Sequence, residues 1–232
     1  MIHFQSICPI CEHAVPFESN DDFWSCRDGL YSRNCPLNSC VTRERAMASA
    51  LFSVVSREAL SKKVVYECSP CMRGLSLWLR QHVPGYTPTG FFPDQPFGET
   101  VHGLRNENLE QLTLPDGSVD IWIHLDVLEH LFKPFKAMQE IYRTLVPCGV
   151  CLFTAPTYPD RARSEQVAFL QPDGTTKIVG QPEYHGNRSI RNRARWSPGA
   201  TAMTCPCCFS ARQGSMSKSD AGNPRPSPSW GP

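Results

Sequence analysis

The chain has 232 residues, a formal net charge of +1 and twelve cysteines. That length permits one domain with a sizeable core plus a small accessory module. The even charge balance gives no global reason to expect nucleic acid or an anionic membrane as partner, and no apolar run approaches the roughly 18–20 residues that span a bilayer.

Met1 to Pro9 lacks a basic region followed by an apolar stretch, so no secretory signal is expected. The cysteines then read as thiols or metal ligands of a cytoplasmic protein rather than as disulfides. Cys8-Pro-Ile-Cys11 is a CxxC knuckle, and Cys35 and Cys40 follow, with Cys26 between. Zinc needs four tetrahedral ligands, and a segment this poor in large apolar residues could hardly fold without such a clip. The expected set is Cys8, Cys11, Cys35 and Cys40, with Cys26 as the alternative fourth ligand; reduced thiols without metal are the competing reading. A redox role suits Cys8 and Cys11 less, because they neither follow a strand nor open a βαβ unit. From Thr42, the positions Met47, Ala50, Leu51, Val54 and Val55 recur at helical spacing and predict a helix that joins two modules. Arg43 and Arg45 on it either meet a ligand carboxylate or phosphate, or pair with nearby acids.

Val64 to Glu67 predicts a short buried strand. The loop Ser69-Pro70-Cys71-Met72-Arg73-Gly74 follows, then a helix with Leu75, Trp78 and Leu79 on one face. Such a unit binds its ligand at the carboxyl edge of the strand, facing the helix amino terminus. Tyr86 to Phe92 predicts a second strand. Pro115-Asp116-Gly117-Ser118 is turn chemistry, after which Ile121, Ile123 and Leu125 alternate with Trp122 and His124. A tryptophan on the second face suggests a central parallel strand covered on both sides, with His124 packed inside the sheet. Pro134 suits a helix start, and Met138, Ile141, Tyr142 and Leu145 repeat at helical spacing. Val146 to Gly149 should end that helix, Val150 to Thr154 form the next strand, and Gln166 to Val179 form a hairpin around Pro172-Asp173-Gly174.

Residues 106–158, from Asn-Glu-Asn-Leu-Glu-Gln-Leu through Leu-Asp-Val-Leu-Glu-His to Phe-Thr-Ala-Pro-Thr-Tyr, resemble the second half of a class I S-adenosylmethionine-dependent methyltransferase domain. The resemblance implies a Rossmann-like parallel sheet flanked by helices, with S-adenosylmethionine at its carboxyl edge. Glu67, Ser69, Arg73 and Gly74 then occupy the place of the family's acid and glycine-rich turn, although Gly74 is the only glycine. Asp94 is the nearest acid to the position that holds the ribose. Asn108 and Leu109 match the adenine loop, and Leu125 and Asp126 the strand end that lines the cofactor. His130 is the first candidate for a base toward the acceptor, with Asp126 next and Glu129 and Tyr158 behind; His130 as a backbone-bonding turn residue is the bland alternative. Cys148 stands in the family's Pro-Gly-Gly turn, at a position that favours positive φ. In similar amino-terminal zinc modules a cysteine would stand at Ser32. A small molecule or glycan is the favoured acceptor, ahead of protein.

Tyr184 to Asn187 still resembles the family. Beyond it come an Arg-rich stretch, a Cys205-Pro-Cys207-Cys208 cluster and a Ser/Pro/Gly-rich end that reads as disordered. The change is what a frameshifted or truncated reading frame produces, and no candidate remains for the last two strands, so the sheet is expected to be incomplete at that edge. A basic tail that binds nucleic acid or metal is the alternative. The expected organisation is a Cys-rich zinc module at 1–45, a methyltransferase-like domain at 46–187 and a tail at 188–232.

Overall fold

A computed structural model describes residues 1–22, 25, 26, 29–32, 34–156 and 163–179. Three strands open the chain: β1 (Ile2–Ile7), β2 (Ala14–Ser19) and β3 (Tyr31–Ser32), paired antiparallel in that order. No strand is expected here from the sequence pattern. The β1–β2 register sets Ile7 opposite Ala14, so the hairpin loop between them carries the first knuckle.

Helix α1 (Thr42–Val54) follows, then the single turn α2 (Arg57–Leu60). Residue Val41 flanks α1 and has no side-chain acceptor; instead the Glu44 carboxylate reaches back and accepts the Val41 N–H at 3.0 Å. Helix α1 therefore crosses residue 45 without a break.

The second half is a six-stranded sheet built from β4 (Val65–Cys68), β5 (Tyr86–Gly90), β6 (Thr100–Val101), β7 (Leu104–Asn106), β8 (Val119–Leu125) and β9 (Leu145–Thr154). Their spatial order is β6-β7-β5-β4-β8-β9, and all neighbours are parallel except β6 and β7. The order reverses between β4 and β8, the point where an open α/β sheet leaves a crevice beyond its carboxyl edge. This is the Rossmann-like arrangement expected from the sequence. Helix α3 (Gly74–His82) connects β4 to β5, and α4 (Pro134–Thr144) connects β8 to β9 after a 3-10 turn at Leu128–His130. β9 starts directly at Leu145, so Val146 to Gly149 belong to the strand rather than to a separate turn. A hairpin of β10 (Ala168–Leu170) and β11 (Thr176–Ile178) stands where one was expected, as a separate sheet.

Both faces of β8 are buried, as its tryptophan suggests. Ile121 and Ile123 lie in a core shared with α1, α3 and the cysteine module, including Ile10, Phe17, Leu37, Met47, Leu51 and Trp78. On the other face Trp122 packs with Leu109, Leu112, Ala137 and Ile141, and its indole donates to Thr144 Oγ1 at 3.0 Å. His124 is fully buried against Phe153, and burial pushes its pKa down to about 3, so it is a neutral core residue. The cysteine module and the sheet thus have one continuous apolar core. Tyr158, Tyr184 to Asn187, the Arg-rich stretch, the Cys205–Cys208 cluster and the tail lie outside the described residues.

Candidate functional site

Two clusters carry chemistry, and the first is the set of thiols. Cys8, Cys35 and Cys40 place their sulfurs within 4.8 Å of one another, and Cys11 Sγ lies 3.5 Å from Cys35 Sγ. Cys8 Sγ to Cys40 Sγ is also 3.5 Å. A tetrahedron with Zn–S bonds of ~2.3 Å sets sulfurs roughly 3.8 Å apart, so the four thiols fit a zinc ion with small adjustments. Cys26 is elsewhere: its thiol donates to the Asn20 carbonyl at 3.3 Å, which leaves Cys40 as the fourth candidate.

The fully buried Ser32 adjoins Cys40, with Oγ 2.9 Å from its sulfur and accepting its N–H at 2.9 Å. The hydroxyl occupies the neighbourhood where the family resemblance implies another cysteine, and Cys40 supplies the sulfur instead. A proton shared between Cys40 and Cys8 pushes the Cys8 pKa down to about 5 and its partner's up. Burial pushes Cys11 up to about 12. A cation would replace those protons. Arg45, for which the sequence leaves open ligand binding or pairing, donates to the Cys40 carbonyl (2.9 Å) and sulfur (3.3 Å) and lies over Phe17.

The second cluster is the carboxyl edge of the sheet. Glu67, at the end of β4, is 1% exposed and fully engaged: Ser76 Oγ donates to one oxygen and the Tyr86 hydroxyl to the other, each at 2.6 Å. Burial raises its pKa to about 7 against those two donors. Glu67 therefore ties β4 to α3 and β5. Ser69 follows with φ +53° and exposed, standing in a left-handed conformation that glycine would take without cost.

Arg73 does not face outward; its Nε lies 2.8 Å from Glu44 Oε1. Gly74 is required where it stands, because φ is +52° and a Cβ would come within 2.5 Å of Glu44 Oε2. Its N–H donates to the Leu37 carbonyl at 2.8 Å.

Asp126, just past β8, has φ +52°. It accepts from Thr154 Oγ1 at 2.8 Å and pairs with Arg43 Nη1 at 3.0 Å. Leu125 beside it is half-buried. The structure thus brings together Asp126, Thr154 and Arg43, and of the two readings the sequence leaves open for Arg43 it shows pairing with an acid. His130 ends the 3-10 turn, donating its N–H to the Val127 carbonyl, with Nε2 3.8 Å from Glu129 Oε1.

The far side of the edge is braced from within. Asn108 Oδ1 accepts the Glu110 N–H, and Leu109 is buried. An opening of about 460 Å³ lies against Asn108, Glu110, Gln111, Lys133 and Lys136. Asp94 is exposed on the loop after β5. That loop hangs on the fully buried Asn106, whose amide accepts from Phe92 N and donates to the carbonyls of Phe92, Gln95 and Pro96 at 2.8–3.1 Å. Asn106 is absent from the sequence-based candidates; an asparagine one residue before an acid at a strand end is its only signal.

This edge matches a known family. Residues 93–153 match the model of the methyltransferase domain, the stretch that holds β6, β7, β8, α4 and most of β9. A curated relative described as a probable S-adenosylmethionine-dependent methyltransferase, from Mycolicibacterium smegmatis, is 42% identical over 53 residues, covering 23% of this chain and 21% of the relative. The chain thus spans about a fifth of the length of the relative it matches. Among solved structures, a putative methyltransferase from Bacillus halodurans aligns at 14% identity with a TM-score of 0.39, over 50% of this chain and 52% of the other. An S-adenosylmethionine-dependent methyltransferase from Mesorhizobium loti aligns at 16% with a TM-score of 0.38, over 58% and 64%.

Among the described residues, no helix is long and apolar enough to cross a membrane. An adenosyl ligand at this edge would meet Asn108 beside an opening and Asp94 on an accessible loop. At the methionine side the helix amino terminus already receives the Leu37 carbonyl.

Proposed function

We propose that this chain catalyses S-adenosylmethionine-dependent methyl transfer to a small-molecule or glycan acceptor, with a structural zinc ion held by Cys8, Cys11, Cys35 and Cys40. The observation that carries the reading is the parallel sheet whose β8 strand end, within the matched segment, presents Asp126 at the switch point beside β4. The cofactor supplies an electrophilic methyl group. The protein's task is then to hold donor and acceptor in line, a contribution of order 7–11 kcal/mol in favourable cases.

Asn108 and Leu109 would take the adenine, Asp94 the ribose hydroxyls, and Leu125, Asp126, Ser69 and the Glu67-braced turn the remainder. Arg73 and Gly74 act through the shape of that turn. His130 is the first candidate to take an acceptor proton, worth about 10²–10⁴-fold, and Asp126 the second. No nucleic acid partner and a cytoplasmic location complete the reading.

Calorimetric titration of the purified chain with S-adenosylmethionine tests it, alongside elemental analysis for zinc. Saturable heat and one zinc per chain are expected; neither heat nor thermal stabilisation by the cofactor would sink the transferase. A second reading then gains ground: a zinc-bound interaction protein whose methyltransferase-like domain no longer binds cofactor. The Leu37 carbonyl on the Gly74 N–H is the observation that favours it, since that amide is one a cofactor carboxylate would otherwise use.

A further inference from the structure

The segment from Cys35 to Arg45 serves two sites at once. At one end Cys35 and Cys40 belong to the thiol cluster, and Arg45 clamps Cys40 while bonding the Leu30 carbonyl at 2.6 Å. At the other, the same segment meets the cofactor edge at four points. The Leu37 carbonyl accepts from Gly74 N, and Asn38 Nδ2 donates to the Met72 carbonyl at 3.2 Å. Glu44, 4% exposed, caps α1 and pairs with Arg73 through its other oxygen. Arg43 reaches across to Asp126. Gly74 has no room for a Cβ because Glu44 and Cys40 already stand there, at 2.5 and 3.2 Å.

We propose that Arg43 and Glu44 of the cysteine module are positioning residues for the cofactor edge, resting on the methyl-transfer reading above, and that through them the thiol cluster sets cofactor affinity. The chemistry supports the assignment. The loop after β4 has a single glycine, so it cannot wrap a ligand by backbone freedom alone, and the Glu44–Arg73 pair fixes it from outside. A buried ion pair of this kind is a weak source of net stability; what it does here is tie the loop to the first turn of α1 through both Glu44 oxygens. Asp126 sits in a left-handed conformation that β8 by itself would not impose; Arg43 and Thr154 hold both of its oxygens. Cys40 lies two residues before α1, and Arg43 and Glu44 stand in the first turn of that helix, so a shift of Cys40 moves both contacts.

The test uses the full chain, Glu44→Gln, Arg43→Gln and Arg43→Lys, each with its zinc content measured. S-adenosylhomocysteine affinity is read by calorimetry at a temperature where all remain folded by circular dichroism, and hydrogen exchange is followed over residues 69–74 and 126. Glu44→Gln and Arg43→Gln should keep their metal and lose affinity on the order of 10- to 100-fold. Arg43→Lys should recover most of it. Chelating the metal from the unmodified chain should speed exchange at 69–74, as Glu44→Gln does.

Unchanged affinity and unchanged exchange in both Gln variants overturn the proposal. If the unmodified chain binds no cofactor, the transferase reading fails, and exchange alone decides: faster exchange sustains the coupling and unchanged exchange ends it. If Glu44→Gln does not fold, the two Arg43 variants carry the test by themselves.

Discussion

The loops along the carboxyl edge of the sheet are held in different ways. The loops after β5 and β7 are braced from within the sheet domain. Asn106 anchors the chain from Phe92 to Pro96, Glu107 receives Arg105 and Thr113, and Glu140 accepts the Leu112 N–H. The loop after β4 has one brace of its own, the Ser76 hydroxyl that accepts the Cys71 N–H at 3.1 Å, and is otherwise braced from outside, by Leu37, Asn38 and Glu44 of the cysteine module. A turn rich in glycine needs no such scaffold. Where Ser69, Pro70 and Arg73 stand in a loop with a single glycine, shape must come from contacts, and here another module supplies most of them.

The sharpest way to break the comparison is to remove one brace on each side. Asn106→Ala leaves a buried N–H and three carbonyls without their partner, so a loss of about 3 kcal/mol is expected by urea unfolding. Exchange should rise over residues 92–96 while the loop at 69–74 stays protected. If both loops loosen together, the two braces are not independent.

Glu67 probes the β4 side from below. Its folded pKa, raised by burial to about 7, lies above its ordinary value near 4.5, so the folded state binds the extra proton between those values. Stability contributed by this group therefore falls as pH rises from about 4.5 to 7, and levels off above, by up to about 3 kcal/mol. Glu67→Gln should flatten that slope, checked by unfolding midpoints at pH 5 and 7.5. A slope that survives the substitution would assign it to other groups.

The smallest effect is at Cys148, exposed with φ +63° on β9. Cys148→Gly should relieve about 1 kcal/mol of left-handed strain and raise the thermal midpoint by a few degrees. Both loops should keep their exchange rates, because Cys148 sits toward the opposite end of β9.

Much of the fold is legible in the sequence because it is local. The alternation around Trp122 marks a strand buried on both faces, the spacing from Met138 to Leu145 marks α4, and Pro172-Asp173-Gly174 marks the hairpin. Positive φ at Cys148 is readable from its place in a family turn. The three strands of the cysteine module are not legible, since β1 is largely exposed and carries little periodic signal and β3 has only two residues. Asn106 is invisible for a different reason: a single amide that serves four backbone groups leaves no pattern in the chain.

The sequence alone determined the periodicities, the turn residues and the cysteine spacing, because each depends on neighbours a few positions apart. It also carried the match over residues 93–153. Which acid meets Arg43, which carbonyl takes the Gly74 N–H and whether Cys26 or Cys40 joins the thiols were decided only by the tertiary structure. Those pairings join residues far apart along the chain or turn on backbone direction, and only burial of one common core brings them within hydrogen-bond range.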